Sequence, residues 1–207
     1  MATFFTADLH FNHLGIIGHA NRRDDGGTVF RTVDEMNKWM IEVWNDTVKR
    51  ESDIVWVLGD FAFPYNKAVG GIPPEVLFYK LRGVKHLIVG NHDEKNKTGN
   101  LTLPWENKVE KVGGGTVLPY LSTFRDNGRR AELCHYPLET WKNAHRGALM
   151  FHGHSHGNLF NKLPHRFDVG IDVFRRPMDF EELWEMSQKQ TFKPVDHHSE
   201  GLKKEKI

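Results

Sequence analysis

Five apolar runs in this chain break off in the same way. "TFFTADLH" (3–10), "DIVWVLGD" (53–60), "KHLIVGNHD" (85–93), "AELCHYP" (131–137) and "ALMFHGHSH" (148–156) are each short, and each ends in carboxylate, amide or imidazole side chains. A run of four to eight apolar residues bounded by turn signals suits a strand buried on both faces, the kind found in a sheet covered by other layers. With 207 residues and 39% hydrophobic content, the chain can bury one substantial core. Strand ends of one core lie near each other, so the polar termini of these runs become candidates for a shared site. They are Asp8, His10, Asp60, Asn91, His92, Asp93, His135, His154 and His156.

The connecting segments supply the helices. Thr32 to Glu35 forms a capping box, and Met36, Trp39, Met40, Val43, Trp44 and Val48 recur at helical spacing, predicting an amphipathic helix between the first two runs. Further helices are predicted at 73–81, opening on proline, and at 179–187, opened by Asp179 with Glu182 three residues on. The stretch 116–136 reads as a hairpin around Asp126-Asn127-Gly128 whose returning strand delivers His135, which makes the sheet mixed. "FDVGIDVF" (167–174) reads as one more strand. His13 and His19 fall in a short helix, in packed or solvated roles, with Asn12 and His13 still able to approach a substrate. Arg22-Arg23 reads as solvated surface, with phosphate clamping as the lesser alternative, and His152 as a core imidazole. Residues 193–207 lose all periodicity and are expected to form a flexible tail, leaving 1–192 as a single domain.

Composition removes several classes of function. A formal charge of +1 creates no global basic field, so a long nucleic-acid track is not indicated. The single cysteine, Cys134, cannot form an intramolecular disulfide, and its apolar flank suits a buried thiol. The N-terminus has no signal-peptide pattern, and no run approaches the ~18 apolar residues of a membrane helix, so a soluble cytoplasmic protein is expected.

Each polar terminus has an ordinary structural use when read alone. Asp8 could accept loop amides, Asp60 and Gly90-Asn91 could make turns, and His135 could be a satisfied core imidazole; thirteen histidines make chance pairs common. As a set, carboxylates, imidazoles and one amide suit divalent ions such as Mn, Fe, Ni or Zn. If extended geometry continues, alternate residues point the same way, so Asp8 with His10, and His154 with His156, would each aim at one locus. His197-His198 in the tail is a candidate for adventitious metal binding.

The blocks "ADLH" (7–10), "GDF" (59–61), "GNHD" (90–93), "CHYP" (134–137) and "GHSH" (153–156), in this order, resemble the five-block signature of the calcineurin-like metallophosphoesterases, in particular the small single-domain phage and bacterial members. The resemblance spans about residues 4 to 175. It implies an α/β (α+β) fold, a four-layer αββα sandwich of two mixed β-sheets flanked by helices, with a binuclear metal centre at the loop ends. Carried over by position, it implies Asp8, His10 and His156 on one ion, Asn91, His135 and His154 on a second, and Asp60 bridging both. His92 would face the substrate as proton donor, with Asp93 orienting it. The implied cofactors are two divalent transition-metal ions, manganese first, with iron, nickel or zinc as alternatives. The implied reaction is hydrolysis of a phosphodiester, such as a nucleotide or cyclic nucleotide, by a hydroxide held between the metals. A phosphomonoesterase or protein phosphatase, and a nuclease, use the same centre and stay open. A non-catalytic scaffold of the same fold is opposed by the retention of His92 and of every ligand. The expected partner is a small phosphoester.

Overall fold

The computed structural model describes residues 1–93, 116–118 and 120–193. The tail expected from the sequence, with His197 and His198, lies outside the described residues from position 194 onward. The strands divide between two mixed sheets. In the first, β1 (Thr3–Thr6), β2 (Ile54–Leu58), β3 (Val84–Ile88) and β4 (Thr116–Leu118) run parallel in the order β4-β3-β2-β1. In the second, β5 (Leu121–Asp126) pairs antiparallel with β6 (Arg129–Cys134), which runs parallel to β7 (Leu149–His152), itself parallel to β8 (Arg166–Asp168). A short strand, β9 (Met178–Asp179), adds antiparallel to the outer edge of β1.

The alternation of side chains along these strands makes three packed layers. Phe5, Leu58 and Ile88 from the first sheet meet Ala131, Leu133, Leu149, Phe151 and Phe167 from the second. Phe5 packs edge-on against Phe151 at 4.8 Å between ring centroids and against Phe124 at 5.2 Å. On the opposite face of the first sheet, Phe4, Val55, Val57 and Leu87 pack against helices α1 (Leu14–His19), α2 (Val33–Thr47) and α3 (Pro74–Lys80). Helix α2 starts as its capping box predicts: Thr32 Oγ1 accepts from the Glu35 amide at 3.2 Å, and Met36, Met40 and Trp44 are buried. The outer face of the second sheet buries Cys134 and Met150 under Trp141, Ala144 and Ala148, the last turn being a 3-10 helix at Ala144–Arg146. An α/β fold of two mixed sheets with helices is therefore what the sequence leads one to expect and what the chain adopts.

Two local expectations change. The predicted strand 167–174 is split: β8 ends at Asp168, and Ile171–Phe174 is a helical turn, α4. The chain leaves the second sheet there because Gly170 bridges to Ala7 and the Ile171 amide bonds the Ala7 carbonyl at 3.0 Å, which ties the two sheets together beside the first polar block. Thr116–Leu118 belongs to the first sheet, so the hairpin begins only at Leu121, with Asn127 and Gly128 at φ 46° and 82° in its turn. The last helix, α5 (Phe180–Gln188), is capped by Asp179, which accepts from the Glu181 amide at 2.8 Å, and its Phe180 and Leu183 close the space between the sheets. Among the described residues, no helix is long and apolar enough to cross a membrane.

Candidate metal centre

The polar blocks leave their strands by left-handed backbone. Asp8 (φ 55°), His10 (φ 48°), Asp60 (φ 56°), His154 (φ 67°) and His156 (φ 46°) all occupy the region that non-glycine residues seldom adopt. The expected alternation along a continuing strand is thus corrected: turns, not the pleat, bring Asp8 to His10 and His154 to His156. Each such residue costs roughly 1–3 kcal/mol and persists only where its surroundings over-determine it. Here the first two loops run side by side, with Asp8 N bonding Gly59 O at 3.1 Å, His10 N bonding Asp60 O at 2.8 Å and Phe11 N bonding Phe61 O at 3.0 Å.

What this backbone presents is a set of buried polar atoms lacking protein partners. Asp8 is fully buried; its Oδ1 accepts from the His154 amide at 3.0 Å, while its Oδ2 has no donor. Both ring nitrogens of His10, 1% exposed, are without hydrogen bonds. Burial pushes the Asp8 carboxyl well above the usual carboxylate range and holds the His10 ring far below the usual imidazole range, with the Arg22 charge acting in the same direction on His10. A dication acts against the first effect by favouring the Asp8 carboxylate, and it uses the neutral ring left by the second.

Asp60 stands in the middle. Its Oδ2 is 3.4 Å from His10 Nε2 and 3.5 Å from His135 Nε2, and its Oδ1 accepts from the His92 amide at 2.9 Å. His135 donates from Nδ1 to the Leu58 carbonyl at 2.8 Å, which leaves Nε2 with its lone pair; burial keeps this ring neutral. That nitrogen faces Asn91 Oδ1 at 2.9 Å, and His154 Nδ1 lies 3.0 Å from the same oxygen. Two acceptors that close repel each other unless a cation lies between them. On the other side, Asp8, His10 and His156 form one cluster able to hold a metal ion, overlapping with clusters of His10, Asp60 and His92 and of Asp8, Asp60 and His135; within each, the ligand atoms lie within 4.8 Å of one another. The donor set, imidazoles with two carboxylates and an amide oxygen, fits divalent transition metals.

Three charged residues hold this arrangement from behind. Asp172 Oδ2 bonds His156 Nδ1 at 2.7 Å, fixing the ring beside Asp8 and His10. Arg22, 4% exposed, grips Asp172 through Nε and Nη2, each at 2.9 Å, and donates to the Leu9 carbonyl at 2.6 Å and to the Asp8 carbonyl. Burial opposes charge on both His156 and Asp172, yet their mutual hydrogen bond, with Asp8 near His156 and Arg22 near Asp172, outweighs it. The His156 pKa is raised and that of Asp172 lowered. Asp168 accepts from Ser155 Oγ and the Gly157 amide, both at 2.8 Å, and so shapes the "GHSH" loop. The surface or phosphate-clamp readings of Arg22 are corrected: it is an internal brace. Breaking a buried ion pair typically costs about 3–5 kcal/mol. Arg22→Met is accordingly expected to lower the melting temperature by roughly 6–20 °C for a domain of this size, as read by thermal denaturation.

Asp93 has a structural job that its sequence position does not announce. It is 1% exposed, and its carboxylate accepts from the amides of Asp60 at 2.5 Å, Phe61 at 3.0 Å and Gly90 at 3.0 Å. Both oxygens are thus used to lock the second and third loops together. Burial raises its pKa to about 7 against the pull of those three amides. The fit is tight: a Cβ on Gly90 would lie 2.3 Å from Asp60 Oδ1 and 2.6 Å from Asp60 N, so only glycine allows this approach.

His92 itself is exposed, with its ring 5.1 Å from that of His10 and 5.2 Å from that of Phe63. His13, expected to be packed or solvated yet able to approach a substrate, stacks on Phe63 at 3.8 Å and 14° and sits 6.0 Å from His92, on the same rim; burial holds its pKa down to about 4. Asn12 is a bolt rather than a substrate contact: it bonds Asn37, Phe63 O and both the amide and carbonyl of Ile72. His152 is buried with Nδ1 on the Gly153 carbonyl, as a core imidazole should be. Of the residues missed in the sequence, Asp172 left the clearest signal, a lone carboxylate inside the apolar stretch "VGIDVF".

No family model matches the chain. It is 34% identical over 161 residues to the uncharacterized protein MJ1445 of Methanocaldococcus jannaschii, an alignment covering 78% of this chain and 73% of that one. Among solved structures, the protein of unknown function AQ665 from Aquifex aeolicus superposes with a TM-score of 0.61 at 19% identity, covering 89% of this chain and 98% of that one, a likeness of fold. A structure described as a novel archaeal phosphodiesterase aligns over 82% of each chain at 16% identity and a TM-score of 0.44, too loosely to argue an activity.

Proposed function

This chain belongs to one family with the uncharacterized MJ1445 protein of Methanocaldococcus jannaschii, and from the chemistry of its own site we propose that it is a binuclear metal-dependent phosphoesterase acting on a phosphodiester. The observation that carries this reading is the place of Asp60, one carboxylate oxygen between the imidazoles of His10 and His135, with unpartnered Asp8 and His10 atoms on one side and the Asn91, His135 and His154 trio on the other. Asp8, His10 and His156 would hold one ion, Asn91, His135 and His154 the second, and Asp60 both. Bound there, two dications would acidify a water and withdraw charge from the phosphoryl oxygens.

The remaining tasks fall to the chain. Asn91 binds through a neutral oxygen, so the site keeps a net positive charge when loaded and attracts phosphate. His92, exposed at the rim with its backbone anchored by Asp60, gives a proton to the leaving oxygen. No protein nucleophile is required, and the one thiol, Cys134, is buried with its pKa raised by that burial. Manganese is the expected metal and a nucleotide or cyclic nucleotide the expected class of diester.

The test is a screen of metal-free protein with Mn, Ni, Fe and Zn added separately, on bis(p-nitrophenyl) phosphate and p-nitrophenyl phosphate. Turnover should require added metal and favour the diester. Elemental analysis of a variant with His197 and His198 replaced by alanine should find two ions per chain. A stoichiometry capped at one under saturating metal overturns the binuclear reading, and a preference for the monoester turns it toward a phosphomonoesterase.

A further inference from the structure

Four rings meet at the mouth of the metal centre. His10, His13, Phe63 and His92 form one cluster in which every centroid separation falls between 3.8 and 6.1 Å. The rings come from three loops, the first supplying His10 and His13, the second Phe63 and the third His92. Exposure rises across the cluster: His10 is buried, His13 and Phe63 are half-buried, and His92 is exposed.

Phe63 is held to the first loop at both its backbone groups. Its amide donates to the Phe11 carbonyl at 2.8 Å, and its carbonyl accepts from Asn12 Nδ2 at 3.1 Å. His13 lies flat on its ring, 3.8 Å away and 14° from parallel. The same ring meets His92 at 5.2 Å and 40°, while His10 meets His92 edge to face at 5.1 Å and 69°. The bond from the His92 amide to Asp60 Oδ1 at 2.9 Å fixes the backbone but leaves χ1 and χ2 to be set by what the imidazole touches. A general acid acts only where its N–H reaches the leaving oxygen, so a ring turned away from that position contributes nothing to the rate.

We propose that Phe63 is a positioning residue that acts through His92: its ring, backed by His13, holds the imidazole beside His10 in the orientation that reaches the leaving oxygen. This rests on the proton-donor role given to His92. Phe63 has no proton to give, so its effect on the rate is one of geometry.

Phe63→Leu tests this, because leucine keeps an apolar side chain and both backbone bonds while removing the ring. Metal content, read by elemental analysis, should match wild type. On cyclic AMP, whose leaving group is a sugar alkoxide, kcat should fall roughly two- to tenfold, the scale of one aromatic contact, with KM unchanged. On bis(p-nitrophenyl) phosphate the fall should be smaller, since nitrophenolate needs no proton. Phe63→Tyr, which restores the ring, should restore the rate. In metal-free protein, the proton–carbon NMR signals of the His92 ring, assigned by their absence from His92→Gln, should move once the Phe63 ring current is removed. Unmoved His92 signals, a Phe63→Tyr variant as slow as Phe63→Leu, or equal losses on the two esters from Phe63→Leu beside unequal losses from His92→Gln each overturn the positioning role alone. Equal losses from His92→Gln itself overturn the proton-donor role and the positioning with it.

Discussion

Asp60→Asn should abolish phosphoester hydrolysis in a protein that still folds. The wild-type carboxylate performs two tasks at once, Oδ1 accepting from the His92 amide at 2.9 Å and Oδ2 facing both His10 and His135. An asparagine has one acceptor oxygen. If that oxygen stays on the His92 amide, an NH₂ group faces the imidazoles and the shared ligand is gone; if it turns inward, the His92 loop loses its anchor. The loss of charge also leaves two dications without the anion that offsets their repulsion. A fall in kcat/KM of at least ~10³-fold is expected, beyond the ~10²–10³ typical of deleting one electrostatic contact. Asp8→Asn should cost less, because Asp8 reaches only one ion in this assignment. Steady-state kinetics with elemental analysis of both variants gives the comparison. Two retained metals with near-normal turnover in Asp60→Asn would remove Asp60 from the bridging role.

His92→Gln should separate metal binding from chemistry. The His92 side chain is exposed at the rim, and its backbone amide, which the substitution preserves, supplies the bond to Asp60. Metal content and fold should therefore survive. Rate should fall, and by an amount that depends on the leaving group: nitrophenolate departs without a proton, whereas a sugar alkoxide requires one. General acid catalysis is typically worth ~10²–10⁴-fold, so a nucleotide ester should show a loss of that order and the nitrophenyl ester a much smaller one. Equal losses on both esters would make His92 a phosphate-positioning group. Loss of an ion would make it a ligand, a role its cluster with His10 and Asp60 would allow.

The candidate ligands were legible because each sits at the end of an apolar run, where a strand has to stop and a loop begin. Their mutual placement followed a different route from the one the runs suggested. Nothing in "ADLH" or "GHSH" announces left-handed backbone, since that conformation is imposed by hydrogen bonds to loops distant in the chain, such as Asp8 N to Gly59 O. The supporting residues were illegible for the same reason. Arg22 and Asp172 meet across 150 positions of sequence, and a local reading of "RR" gives no reason to bury the first arginine and expose the second. Asp93 was visible as a carboxylate beside a histidine, but the amides of Asp60 and Phe61 that it accepts from belong to another strand end. The second sheet, too, has no signature in hydrophobic period, because strands of either sheet are apolar on the shared face.

The left-handed positions of the candidate ligands set backbone strain against loop anchoring in this molecule. At Asp8, His10, Asp60, His154 and His156 the backbone occupies ground that glycine takes without strain. A glycine there would relieve that strain, and at Asp8 and Asp60 it would also remove the oxygens that hold the His154 and His92 amides. Strain relieved and anchors lost therefore oppose one another at these two carboxylates, and the melting temperatures of the Asp8→Gly and Asp60→Gly variants read which is larger.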